Sequence, residues 1–206
     1  MKQSKPFFIG ITGGIGAGKT EIMRYIGRHY RCEVYLADEV AHLVKEPGTA
    51  CHRALLELLG ADVAAKDGRI DRGKMAERMY ADKTLLGKVN AIVHPAVRAF
   101  LLERLEAARK KAETELFLVE AALLIECGYG SLVDEMWYVY ADEKVRRERL
   151  RAARGYSDEK IDRIMGSQLS EVEFRENCDF VIDNSGSLEE SCRIIDKKLE
   201  AYSWQE

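Results

Sequence analysis

Residues 10–21, GITGGIGAGKTE, put five glycines between an apolar run and a helix-like one, with Lys19, Thr20 and Glu21 at the changeover. Gly13, Gly18, Lys19 and Thr20 satisfy the spacing G-x-x-x-x-G-K-[ST] where a strand hands over to a helix. Glycines reach torsions closed to other residues, so the amides along Gly13, Gly14, Ile15, Gly16, Ala17 and Gly18 can turn inward around a phosphate. The helix beginning near Lys19 adds the positive end of its dipole. Lys19 reaches β- and γ-phosphate oxygens as a point charge, and the Thr20 hydroxyl is placed to ligate Mg²⁺. A dinucleotide fingerprint is not supported, because the third glycine it needs after Gly14 and Gly16 is missing. The chain is thus expected to bind a nucleotide with Mg²⁺.

The rest of the 206 residues alternates short apolar runs with longer amphipathic ones. Strands are expected at 7–12, 33–36, 115–120, 136–141 and 180–183, rich in Val, Ile, Phe and Tyr. Near-continuous apolar strands separated by helices indicate an α/β fold, a P-loop NTPase-type parallel five-stranded sheet covered on both faces. Helices are expected at 19–30, 38–45, 50–59, 143–154, 158–176 with a bend near Ser170, and 188–202. A further helical stretch, 70–112, is expected in two or three pieces, interrupted at Pro95. The excursion between the second and third strands far exceeds one crossover helix, which suggests a subdomain that holds a substrate. The resulting division is a core of 1–45, 113–142 and 178–206, a helical insert of 46–112 and a lid of 143–177.

A net charge of −3 argues against a chain that coats nucleic acid, and five scattered cysteines without a CxxC pair are expected to be reduced thiols. No stretch reads as the roughly twenty apolar residues of a membrane span. The expected setting is the cytoplasm, with a small-molecule partner, no nucleic acid, no membrane, and a monomer or small homo-oligomer.

Asp38 and Glu39 follow the second strand. A carboxylate there can accept the proton of an attacking hydroxyl, or it can cap the helix that follows. Glu120 ends the third strand, where it can hold a metal-bound water or simply be a solvated strand-end acid. The stretch EKVRRERLRAARG is an arginine-rich helix, either a solvated face or a source of cations for a developing phosphoryl charge.

The chain resembles the dephospho-CoA kinases almost end to end. The resemblance is carried by GITGGIGAGKT, ADEVAHLVKEPG, DGRIDRGKMAERMYAD, VNAIVHPAVR, LLIE, RIMGSQLS and CDFVIDNSGS, in that order. It implies phosphorylation of the ribose 3′-hydroxyl of dephospho-CoA by ATP, with Asp38 as the catalytic aspartate of the family's DAD stretch. It further implies that His94 and Arg98 of HPAVR belong to the region that holds the CoA moiety, where Arg98 can pair bidentately with a phosphate; Arg72 is a candidate of the same kind. Arg149 matches an arginine of the family's lid, Arg154 adjoins the Ala153 that replaces a second one, and Asn184 falls near the adenine. Two further departures bear on catalytic competence: Leu36 replaces the first Asp of DAD, and Ala122 replaces a proline before the LL.E stretch. The alternatives are a nucleoside or nucleotide kinase, and a non-catalytic protein of the same fold that binds nucleotide or CoA. No NKxD-type guanine motif points to a GTPase.

Overall fold

The structure, a computed structural model, describes residues 6–111 and 113–202. The first five residues of the expected core, the expected insert end at 112, and residues 203–206 lie outside the described residues. The chain packs as two compact units, one of residues 1–34 and 108–206 and one of residues 35–107.

The first unit is built on a parallel sheet. Its strands are β1 (Phe7–Thr12), β2 (Cys32–Leu36), β3 (Leu116–Glu120), β4 (Glu135–Tyr140) and β5 (Phe180–Asp183), in the order β2-β3-β1-β4-β5. Every residue of β1 is buried, as expected of a central strand covered on both faces. Ile9 lies opposite Leu118 on one side and Ile11 opposite Trp137 on the other, and all four are fully buried. Since β1 has β3 on one side and β4 on the other, its carboxyl end lies where the strand order reverses direction, the place at which open α/β sheets bind ligands. The helices of this unit are α1 (Lys19–His29), α6 (Glu143–Arg154), α7 (Asp158–Met165), α8 (Glu171–Glu176) and α9 (Leu188–Glu200). The bend expected near Ser170 is a full break: Ser170 and Glu173 cap α8 reciprocally, which fixes a new helix start.

The lower end of the sheet carries a shielded acid. Glu135 Oε2 accepts from Tyr202 Oη at 2.6 Å and from Trp137 Nε1 at 2.8 Å, and Oε1 pairs with Lys198 Nζ at 3.0 Å. Burial pushes this carboxyl up, but the bonds from Tyr202, Trp137 and Lys198 outweigh it and hold it below its ordinary value of 4.5. A depressed folded-state value gives stability that is present above pH 4.5 and lost as the pH falls through the folded value. Tyr202→Phe is therefore expected to cost about 1.5–3 kcal/mol at pH 7 and less in acid, read by urea denaturation at both pH values.

The second unit holds α2 (Ala37–Leu43), α3 (Ala50–Leu59), α4 (Arg72–Ala81) and most of α5 (Thr84–Lys111). Contrary to the expected interruption, α5 runs unbroken through Pro95. Val89, Val93, Val97, Leu101 and Leu105 recur every fourth residue as a buried stripe across the proline. Pro95 and Ala91, whose carbonyl loses its helical donor, are both exposed, so water can satisfy the freed group. An 18-residue window of α5 also reaches a mean hydropathy of 1.3, long and apolar enough by length and composition to cross a bilayer. That differs from the expectation drawn from the sequence. The buried one-sided stripe and the interspersed Lys88 and Arg98 are the pattern of a helix packed against protein on one face.

Candidate active site

The loop after β1 takes the shape its glycines permit. Gly18 adopts φ 92° as the residue before α1, a left-handed conformation that strains any side chain, and a Cβ there would overlap Asn184 Nδ2. A Cβ on Gly14 would meet Arg146 Nη1, the tip of a flexible side chain that lies against the loop. Lys19 folds back across the loop. Its Nζ donates to Gly13 O at 2.7 Å and lies 3.5 Å from Glu120 Oε1, both side chains being largely shielded from solvent. The strand-end acid and the loop lysine are thus brought together. Thr20 is exposed at the start of α1, and Glu21 beside it pairs with Arg24 on the same helix.

Helix α6 lies directly over the loop, and its arginines divide by face. Arg147 pairs with Glu143 and Asp162, and Arg151 pairs with Asp158, so these two form the solvated face. Arg146 and Arg149, three residues apart, face the loop instead. Arg149 donates through Nη2 to Asn184 O at 2.8 Å and through Nη1 to Ala17 O at 3.4 Å. Arg154 lies apart from this group, its guanidinium over the Tyr156 ring 5.9 Å from the centroid.

Two residues of the site escaped the sequence reading. Arg146 was one of five arginines in a run, with no local mark to single it out. Its Nε is the one buried side-chain nitrogen or oxygen among the described residues without a hydrogen-bond partner. Gln168, between α7 and α8, accepts the Ile15 amide at 2.9 Å through Oε1. A carboxamide oxygen there occupies an acceptor position on the very amides expected to meet phosphate. An orphaned cation and an amide aimed at an oxygen are what an anion would satisfy. The only clue in the sequence was that Gln168 lies within RIMGSQLS.

Asn184 is buried, and both ends of its amide are engaged within the protein. Nδ2 donates to Ala17 O at 2.7 Å and Oδ1 accepts from Ser191 Oγ at 2.9 Å. Its side chain therefore ties the loop after β5 to the phosphate loop. Ala122, the departure after β3, sits in a turn where its carbonyl accepts from Thr12 Oγ1 at 3.5 Å.

The other residues singled out from the sequence lie in the helical unit. Helix α2 starts at Ala37 with Leu36 before it, and no side chain caps it, so Asp38 is not the helix cap that one reading made it. Its carboxylate is exposed in the first turn. His94 and Arg98 stand one turn apart on the exposed face of α5, and Arg72 is the first residue of α4, packed on His42.

Residues 7–190 match the family model described as dephospho-CoA kinase. The dephospho-CoA kinase of Geobacter sulfurreducens is 34% identical over 189 residues, which span 92% of this chain and 95% of that protein. That of Carboxydothermus hydrogenoformans is 31% identical over 199 residues, with 96% and 95% covered. Among solved structures, a Thermus thermophilus protein aligns with a TM-score of 0.76 at 31% identity, covering 96% of this chain and 98% of that one. Dephospho-CoA kinase from Campylobacter jejuni shares the fold, with a TM-score of 0.70 at 21% identity and 94% and 98% covered. A match across nearly the whole chain, on a sheet whose central strand feeds a phosphate loop, places the protein: it belongs to the dephospho-CoA kinase family and is an ATP-using kinase.

Proposed function

We propose that the chain transfers the γ-phosphoryl group of ATP to the ribose 3′-hydroxyl of dephospho-CoA, the reaction that completes coenzyme A. The observation that carries this reading at the donor end is the cradle at residues 13–20, with its inward amide at Ile15 and the unpartnered Nε of Arg146. In the proposed reaction, phosphate oxygens replace Gln168 Oε1 at the Ile15 amide and engage Arg146. Lys19 exchanges its bond to Gly13 O for the β- and γ-oxygens. Arg149, held by Asn184 and Ala17, keeps α6 registered on the loop while charge grows on the transferring group.

Mg²⁺ fits the donors present: a hydroxyl at Thr20 and a carboxylate at Glu120, both hard oxygens, with the remaining positions left to phosphate and water. No group of three or more His, Cys, Asp or Glu able to hold a metal occurs among the described residues, which suits an ion carried largely by the nucleotide. When bound, it offsets charge on the β- and γ-oxygens. Asp38 accepts the proton of the 3′-hydroxyl as the oxygen attacks phosphorus and ADP leaves. Arg72, His94 and Arg98 serve the acceptor.

The test is ADP release with dephospho-CoA against a panel of nucleosides and nucleotides, each with ATP and Mg²⁺. Turnover is expected with dephospho-CoA and at most background with the panel. Preferred turnover of a nucleoside would favour a nucleoside kinase, and binding without turnover would favour a non-catalytic role.

A further inference from the structure

The helical unit gathers cations around a cavity of about 90 Å³ lined by His42, Lys45, Glu46, Arg69 and Arg72. A tight hairpin sets the two arginines. Ala65 N donates to Arg69 O at 2.7 Å and Asp71 N to Val63 O at 2.9 Å, and the buried His52 donates from Nε2 to Gly68 O at 2.9 Å. Asp71 then starts α4 by accepting from the amides of Gly73 and Lys74 at 2.8 and 3.1 Å, which delivers Arg72 at the first helical position. Arg72 Nη2 lies 3.4 Å from both ring nitrogens of His42, so the guanidinium rests over the face of the imidazole.

The lining contains one carboxylate, Glu46, and it is engaged with Arg69 at 3.0 Å. Lys45 and Arg72 have no ion pair among the described residues. Burial and then Arg72 hold the Lys45 ammonium below its ordinary value; burial, Lys45 and Arg72 do the same to His42, against Asp38 and Glu39. Crowding these groups is unfavourable by itself and becomes favourable with an anion among them.

The position of the cluster identifies the anion. Asp38 precedes His42 by four residues in α2, which puts both on one face of the helix with Cβ atoms about 5–6 Å apart. In dephospho-CoA the reacting 3′-hydroxyl and the 5′-pyrophosphate leave opposite sides of a single ribose. We infer that His42, Lys45 and Arg72 hold the 5′-pyrophosphate of the acceptor, one sugar away from Asp38, and thereby select acceptors that carry a 5′-diphosphate ester. This inference rests on the acceptor reading above. It adds His42 and Lys45, which the motifs did not single out, and gives Arg72 a defined partner group.

Steady-state kinetics of the full-length wild type, Lys45→Gln, Arg72→Gln and Arg72→Lys separate the possibilities, with circular dichroism confirming that each variant is folded. Each glutamine variant is expected to raise KM for dephospho-CoA about 10-fold or more, as for the loss of a charge-assisted bond, with KM for ATP within about twofold. Arg72→Lys should restore part of the loss. If the wild type turns over dephospho-CoA but both glutamine variants keep its KM, the inference is overturned and the proposed reaction stands. A parallel rise in KM for ATP also overturns it. A wild type that fails to turn over dephospho-CoA overturns the reaction and the inference together.

Discussion

Asp38→Asn is expected to lower kcat with dephospho-CoA by about 10²–10⁴-fold, the usual contribution of a positioned general base. Asparagine keeps the size of the side chain and can still hydrogen-bond the 3′-hydroxyl, but it cannot take the proton. KM values for ATP and for the acceptor should therefore change little, and the loss should fall on kcat. The structure sharpens this expectation. Helix α2 begins at Ala37 and has no side-chain cap, so the carboxylate contributes no cap bond whose loss would cost about 1 kcal/mol. Thermal stability should then stay close to that of the wild type, measured by scanning calorimetry beside the kinetic assay. Glu39→Gln, next in the chain, is the control and should retain activity within about threefold. Full activity in Asp38→Asn would remove the proposed base, and a loss matched by unfolding would make the residue structural.

Lys19→Met should lower kcat/KM by about 10²–10³-fold, the scale for removing one preorganised charge from a developing anion. The ammonium now donates to Gly13 O at 2.7 Å, with Gly14 O and Glu120 Oε1 each at 3.5 Å, so backbone and carboxylate oxygens hold it at the loop. Methionine preserves the apolar stem and removes only the charge. Arginine at the same position keeps the charge but spreads it over a rigid fork, and should restore only a small part of the rate. The same change takes a positive charge from beside Glu120, which is four-fifths shielded, so a drop in thermal stability should accompany the loss of rate. Saturating ATP would separate the two effects, because bound nucleotide stabilises the folded state by mass action. Retention of wild-type kcat/KM within about threefold in Lys19→Met would remove the lysine from the proposed chemistry.

Much of the donor end could be read in advance because its information is local. The spacing from Gly13 to Thr20 fits within a few residues, and Gly13, Gly16 and Gly18 each sit at a positive φ, a backbone need that no distant contact can replace. Strands β1 and β5 fall at the expected bounds, β1 because a strand buried along its whole length is marked by its apolar run. Pro95 shows where local rules fall short. The rule that proline breaks a helix is sound for an isolated segment, yet a buried stripe on both sides of it held α5 together. Asn184 illustrates a different gap: its place in the chain was marked, but its use as a brace between Ala17 and Ser191 depends on contacts to residues 167 positions away in one case and seven in the other.

What the amino-acid order determined by itself was a strand, a glycine loop and a helix that together present amides and an ammonium to a phosphate, along with the alternation that builds a parallel sheet around them. What tertiary structure alone decided was which of several like residues reach a site. Arg146 rather than Arg154 meets the loop, Gln168 finds the Ile15 amide 153 residues away, and Arg72 settles on His42 from a separate helix. The physical reason is that torsional preference and apolar periodicity act over a few residues, whereas a guanidinium is directed by the packing of whole helices, and neighbouring arginines in one run are alike until that packing turns them to different faces.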